Sequence, residues 1–192
     1  MVPEDIVNNA LDVIGHPTRI NGFWDGTYEA LVARDMWIQV RDAKLTLVQP
    51  EWSIWDDPLT AVKHMPSWGY DEQTPWTTEF PDMPWRYEYP LPANCLVPLA
   101  LKPRQYTLPL WRPRPMGFRV KTANGVYTIL GNDPAPVLSC VHSVPDTTVW
   151  EEDFIDLIIV ELAQRLAPLF GKVAPRQAPR PQQGATDANT PG

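Results

Sequence analysis

The chain has 192 residues, 44% of them hydrophobic, which suits one compact domain with an appendage and a buried core. A formal net charge of −7 argues against a protein that grips nucleic acid through its phosphates, a mode that needs clustered Lys and Arg; an acidic surface lets DNA pass without sticking. Twenty-three Pro residues exclude long helices and central strands wherever they cluster, and nine Trp residues bring more apolar surface than a small domain covers easily.

Cys95 and Cys140 lie far apart, with no C-x-x-C pair, so a reducing compartment is expected. Met1-Val2-Pro3-Glu4-Asp5 has neither a basic nor an apolar leader pattern, and no run reaches membrane-spanning length. The expectation is a soluble protein made in a cytoplasm, with no membrane partner.

Ile6, Val7, Ala10, Leu11 and Ile14 recur at helical spacing, which predicts a helix from Pro3 to Ile14 that ends at Gly15. Asp25 is read as the N-cap of a longer helix over 27–47, with Tyr28, Leu31, Val32, Met36, Val40, Ala43 and Leu47 as its apolar stripe. Trp37 falls off that stripe, and is read either as a widening of the core face or as a side chain offered to a partner.

Between Pro50 and Pro115, Pro recurs every few residues and is interleaved with Trp52, Trp55, Trp68, Trp76, Trp85 and Trp111. Neither helical nor strand period survives, so an ordered, irregular excursion that needs packing partners is expected. Within it, the run from Cys95 to Leu101 reads as an edge strand interrupted by Pro98. Then Gly117 to Lys121 and Val126 to Leu130, flanking Asn124-Gly125, predict a hairpin whose loop can exceed two residues. With the run Val137 to Val144 these make one small antiparallel sheet. Thr148 and Glu151 have the form of a capping box, opening a helix whose inner face is Ile155, Ile158, Ile159, Leu162, Ala163, Leu166, Leu169 and Phe170. Gly171 closes it, and the helix is expected to pack on the first two. Everything after Lys172 is too polar and Pro-rich to build a core.

The fold class is therefore α+β: a bundle of about three helices, a small antiparallel sheet, a Pro/Trp-rich irregular excursion and an extended C-terminal arm. Residues 1–171 form the domain, with a helical frame over 4–48 and 148–171 and the irregular and β insert over 49–147; residues 172–192 form the arm.

Catalytic signatures are missing from the chain. His16, His64 and His142 sit in separate segments, none followed by a second ligand at i+2, i+3 or i+4, and no nucleophile elbow or glycine-rich phosphate loop occurs. Asp56-Asp57 and Asp71-Glu72 lie in turn-like stretches, and Glu151-Glu152-Asp153 sits where a helix dipole favours acids. No catalytic, metal or cofactor residue is expected, and the reading is a structural subunit. Its rival is a carbohydrate-binding module that stacks sugars on Trp68, Trp76 or Trp85.

Four stretches, taken in order, resemble the head-to-tail adaptor family of tailed bacteriophages, which includes the tail tubular and gatekeeper proteins of short-tailed phages. Ile6 to Gly15 is similar to that family's opening helix with its terminal Ile-Gly, and Tyr28 to Val40 to its second helix, leading to Trp52 and Trp55. Tyr87-Glu88-Tyr89-Pro90-Leu91-Pro92-Ala93-Asn94-Cys95-Leu96 resembles an aromatic-Tyr-Pro-Leu-Pro-Ala-Asp-Cys-Leu segment, with Asn94 in place of Asp. Val149 to Phe154, running on to Leu162 to Ala167, is similar to the closing helix. The inserts around 66–84 and 106–115 lie outside the likeness.

The resemblance implies a virion protein without a cofactor: a homo-oligomeric ring, commonly a dodecamer, between the portal protein and the tail nozzle or tube, completing the channel that DNA traverses. It points to Lys172, Pro175, Arg176, Pro179, Arg180 and Pro181 as an arm laid along the portal. Trp37, Trp68, Trp76, Trp85 and Trp111 would then meet neighbouring subunits or the tail.

Overall fold

The computed structural model describes residues 1–66, 79–104 and 116–173. Three helices form one layer: α1 (Pro3–Val13), α2 (Tyr28–Val48) and α3 (Glu152–Leu166). Behind them lie seven strands, β1 (Ile54–Pro58), β2 (Lys63–His64), β3 (Tyr87–Pro90), β4 (Cys95–Pro103), β5 (Arg119–Ala123), β6 (Val126–Gly131) and β7 (Pro136–His142). The α+β class is as the sequence predicts, but the strands make two antiparallel sheets where one was expected: β1-β7-β4 and β2-β3-β6-β5.

α1 starts with Pro at its first turn and ends at Gly15, whose φ of +65° suits a residue without Cβ. Its buried side, Ile6, Val7, Ala10 and Leu11, packs against α3. The loop to α2 is clamped by Asn8, whose amide donates to the Ile20 carbonyl and accepts from the Ile20 N–H, both at 2.9 Å.

The N-cap of α2 is Thr27, which accepts from the Ala30 N–H; Asp25 instead accepts from both the backbone and hydroxyl of Thr27. The buried side of α2 matches the expected stripe only in part: Val40 is buried and Val32 and Met36 pack against the core. Ala30, Ala33, Trp37, Val40, Arg41 and Leu45 point inward, while Tyr28, Leu31 and Leu47 are exposed. At about 100° per residue, the true core face is turned by roughly a third of a revolution from the predicted one.

Trp37 is therefore a core residue, only 6% exposed, which corrects its assignment to a partner surface. It stacks on Trp150 with ring centroids 5.7 Å apart, and Trp52 stacks on that same Trp150 ring at 6.3 Å. Phe154 meets both Trp52 and Trp150 edge-on, at 5.1 and 5.2 Å. One aromatic column thus joins the middle of α2, the turn before β1 and the start of α3.

The start of α3 departs from the capping-box reading. Asp146 caps a short 3-10 turn over Thr147–Val149 by accepting from Thr148, and α3 begins after it at Glu152. Its inner face is as predicted as far as Leu166; Leu169, in the following 3-10 turn, is exposed. Between the helices, Lys44 reaches Glu161 at 2.8 Å, and Arg165 joins the same carboxylate at 2.8 Å.

The irregular excursion is more regular than its Pro content suggests, because it supplies β1 to β4. β4 is the edge strand expected, and Pro98 sits at a register shift where a missing N–H costs no ladder bond. The β5–β6 hairpin turns on Asn124 and Gly125 alone, with φ of 52° and 76°, the left-handed pair of a two-residue turn. The third predicted strand, β7, leaves this hairpin and joins β1 and β4 instead.

The sheet β1-β7-β4 is consequently the middle layer. Val141, with Ile54, Leu96 and Val97, packs toward the helices, while Leu138 and Cys140 join Tyr89, Leu101 and Ile129 in a second core shared with the other sheet. α2 is fixed to the end of β7 by a polar knot: Arg41 donates to Ser143 at 2.7 Å and to Asp42 at 2.8 Å, and Ser143 donates to Asp42 at 2.9 Å. Among the described residues, no helix is long and apolar enough to cross a membrane.

Two measurements follow. Trp150→Ala removes the middle ring of the column and is expected to cost about 3–5 kcal/mol in denaturant unfolding; a loss under about 1 kcal/mol would show that the column is not central. Lys44 and Arg165 hold Glu161 below the usual carboxylate range, chiefly through the Lys44 hydrogen bond. A carboxylate lowered on folding adds stability above its unfolded value and loses it as pH falls through the folded one. Glu161→Gln should therefore flatten the acid side of the stability profile, and an unchanged slope below about pH 5 would refute this.

Candidate functional site

Side chains two apart on a strand share a face, so Cys140 and His142 of β7 point the same way. β1 runs antiparallel beside them with Trp55 opposite Cys140 and Asp57 opposite Leu138, which places Trp55 and Asp57 on that face too. On the other flank, β4 sets Cys95 opposite His142. Three strands thus deliver an acid, an imidazole and both cysteines of the chain to one spot.

The contacts are close. His142 Nε2 lies 2.7 Å from Asp57 Oδ2 and 3.2 Å from Cys140 Sγ, and the Cys140 thiol reaches the same Asp57 oxygen at 3.3 Å. The Trp55 ring stacks on His142 with centroids 4.8 Å apart and fixes its plane. His142 is 4% exposed and Cys140 fully buried, whereas the Asp57 side chain is 30% exposed and Cys95 half-buried. The cluster is closed on its inner side and reachable from outside.

The two thiols act on each other: the neighbouring Cys95 thiol, helped by burial, holds the Cys140 proton well above the ordinary thiol range, while Cys140 draws Cys95 below it. This is not a nucleophile relay. A relay needs the nucleophile on one imidazole nitrogen and the carboxylate on the other. Here sulfur and carboxylate both face Nε2, while the buried Nδ1 has no protein partner. Several donor atoms converging on one point is instead the geometry of ligands.

On the opposite face of the same strands, Asp56 accepts from Ser139 and from Lys102 at 3.0 Å, and the Ser139 contact is the main reason its carboxyl sits below the usual range. The pair Asp56-Asp57 is therefore split by the strand: one carboxylate ties β1 to β7 and β4, the other enters the cluster.

The residues expected to meet partners are distributed unevenly. Trp37 is in the core, and Trp85 is half-buried in the loop before β3. Lys172 is exposed just past α3. Trp68, Trp76, Trp111, Pro175, Arg176, Pro179, Arg180 and Pro181 lie outside the described residues, as does the Asp71-Glu72 pair.

Exposed apolar surface appears elsewhere. Trp24 is 83% exposed, with the Arg34 guanidinium 4.4 Å from its ring centre. It continues into Tyr28, Leu31 and Ile38 on the outer side of α2. Leu157 and Val160 on the outer side of α3, and Val120, Val126 and Tyr127 on the hairpin, add two further patches.

Sequence reasoning missed the convergent cluster because Asp57 and Cys140 are 83 residues apart. One local sign was available: Cys140 stands two residues before His142, a pairing that a search only downstream of each His passes over. No protein-family model matches the chain, and no curated protein matches it.

The burial pattern sets a thiol prediction. In chelator-treated native protein, one thiol per chain should react readily with an aromatic disulfide reagent, and Cys95→Ser should abolish that reaction while leaving Cys140 reactive only in denaturant. Equal reactivity of both thiols in the native state would contradict the burial of Cys140.

Proposed function

We propose that the chain is a structural virion subunit, a head-to-tail adaptor that forms a ring, commonly dodecameric, between the portal and the tail and completes the channel through which DNA passes. The observation that carries this reading is the outer side of α2. Trp24, Tyr28, Leu31 and Ile38 stay largely exposed although the inner side of the helix is fully engaged in the core. Fully burying such side chains against a neighbouring chain contributes about 1.5–3 kcal/mol each.

Other features support the reading. The stretches that resemble the adaptor family fall on α1, α2, the β3–β4 corner and α3, which together form the frame of the molecule. An acidic subunit repeated around a ring gives a channel wall that repels DNA. Lys172 and Val173, past the closing helix, are exposed.

The test is assembly with a portal ring from the same source as this chain. Alone, the protein should sediment as a monomer or weak oligomer; with portal present it should form rings visible by electron microscopy. The double change Leu31→Asp and Ile38→Asp alters exposed positions, so it should keep the helical circular dichroism and abolish ring formation. Removing 173–192 should weaken portal attachment. Absence of any association with portal would sink the proposal, and unchanged assembly of the double variant would remove α2 from the interface.

A further inference from the structure

We propose that Asp57, Cys95, Cys140 and His142 form a zinc site that pins β1, β7 and β4 together. This inference stands on the cluster geometry alone and does not depend on the adaptor reading.

The donor atoms of Asp57, Cys140 and His142 all lie within 4.8 Å of one another. A tetrahedral zinc shell, with bonds of about 2.3 Å to sulfur and about 2.0–2.2 Å to nitrogen and oxygen, spaces its ligand atoms roughly 3.3–3.7 Å apart. The contacts between them are 2.7, 3.2 and 3.3 Å, so the three atoms need to spread by less than about 1 Å to admit the ion. Cys95 stands opposite His142 on the third strand and packs against the cluster that holds Cys140; it lies outside the three-atom group and supplies the fourth ligand by turning its side chain inward to close the shell.

The donor set selects the metal class. Two sulfurs, an imidazole and a carboxylate suit zinc, whereas magnesium and calcium take oxygen shells. Both cysteines of the chain arrive at this point, from strands 45 residues apart in sequence at Cys95 and Cys140. The alternative use of two adjacent thiols, a disulfide, leaves Asp57 and His142 without a reason to converge on the same sulfur.

Ligand placement is already organised. Trp55 fixes the imidazole plane, the β7 backbone fixes Cys140 and His142 relative to each other, and the open side at Asp57 and Cys95 gives the ion a way in. On binding, each thiol releases its proton to water, and two thiolates with one carboxylate against the divalent ion leave one net negative charge. Four protein ligands make the site structural, with no position open for substrate.

The experiment uses the full untagged chain, purified under reducing conditions. Metal analysis should find about one zinc per chain, and exchange into cobalt(II) should give the thiolate charge-transfer band and intense visible bands of a tetrahedral site. Cys140→Ser and His142→Ala should lose the metal, Cys95→Ser should bind at least about tenfold more weakly, and zinc added to chelator-treated protein should raise the unfolding midpoint by several degrees. If those variants fail to fold, the cobalt spectrum of the unaltered chain decides alone. A chain that takes up no metal, a tetrahedral signature that survives Cys140→Ser, or an intact-mass deficit of two hydrogen atoms from a Cys95–Cys140 disulfide would each overturn the site.

Discussion

Trp150 lies between Trp37 and Trp52, and this three-ring contact sets the positions of the parts that the chain must bring together. Trp37 belongs to α2, Trp52 to the turn that launches β1, and Trp150 to the turn that launches α3. Planar rings slide less freely than aliphatic side chains, and Phe154 blocks the edges of two of them. With the column seated, α3 has one place to lie against α1 and α2, and β1 enters beside β7. Every later feature of the molecule, including the Asp57 side of the metal cluster, inherits its placement from that alignment.

The middle sheet then faces two different environments. Its helix-facing side is apolar around Val141 and Ile54, and its other side mixes Leu138 with Cys140 and His142. A strand buried on both faces would ordinarily carry only apolar residues. β7 departs from that rule at Ser139, Cys140 and His142, and each departure is answered by a partner on β1: Asp56 for Ser139, Asp57 for the other two. Polar groups so enclosed are stable only when satisfied together, so β1 and β7 specify each other's register chemically as well as through the ladder.

Much of the frame was legible in the sequence, and the failures have physical causes. α1 was readable because strong periodicity agrees with Pro at one end and Gly at the other, and α3 because its apolar face stays periodic as far as Leu166. α2 was readable as a helix but not by face, since Tyr28, Leu31 and Leu47 outweigh Ala30 and Ala33 in any count of hydrophobicity, while close helix packing favours the small side chains. β1 to β3 were hidden because Pro58 and Pro90 end strands that are too short to show a period. The destination of β7 was hidden too: a hairpin signal fixes β5 against β6 but says nothing about the next strand. The cluster at His142 depended on that unreadable step, and only the Cys140–His142 spacing hinted at it.

The outer edge of β4 has a bearing on how the protein avoids uncontrolled self-association. A free strand edge is a row of unpaired donors and acceptors, open to any other extended chain, and the danger grows with the number of identical copies made at once. Here Pro98 contributes no donor, two register shifts break the repeat, and Met116 donates to the Leu101 carbonyl at 2.8 Å, occupying the edge where it would otherwise be most inviting. Along β4, copies of this chain therefore have little backbone through which to zip together. Contacts on that side are left to side chains, which can be selective about partner and angle in a way that a bare strand edge is not.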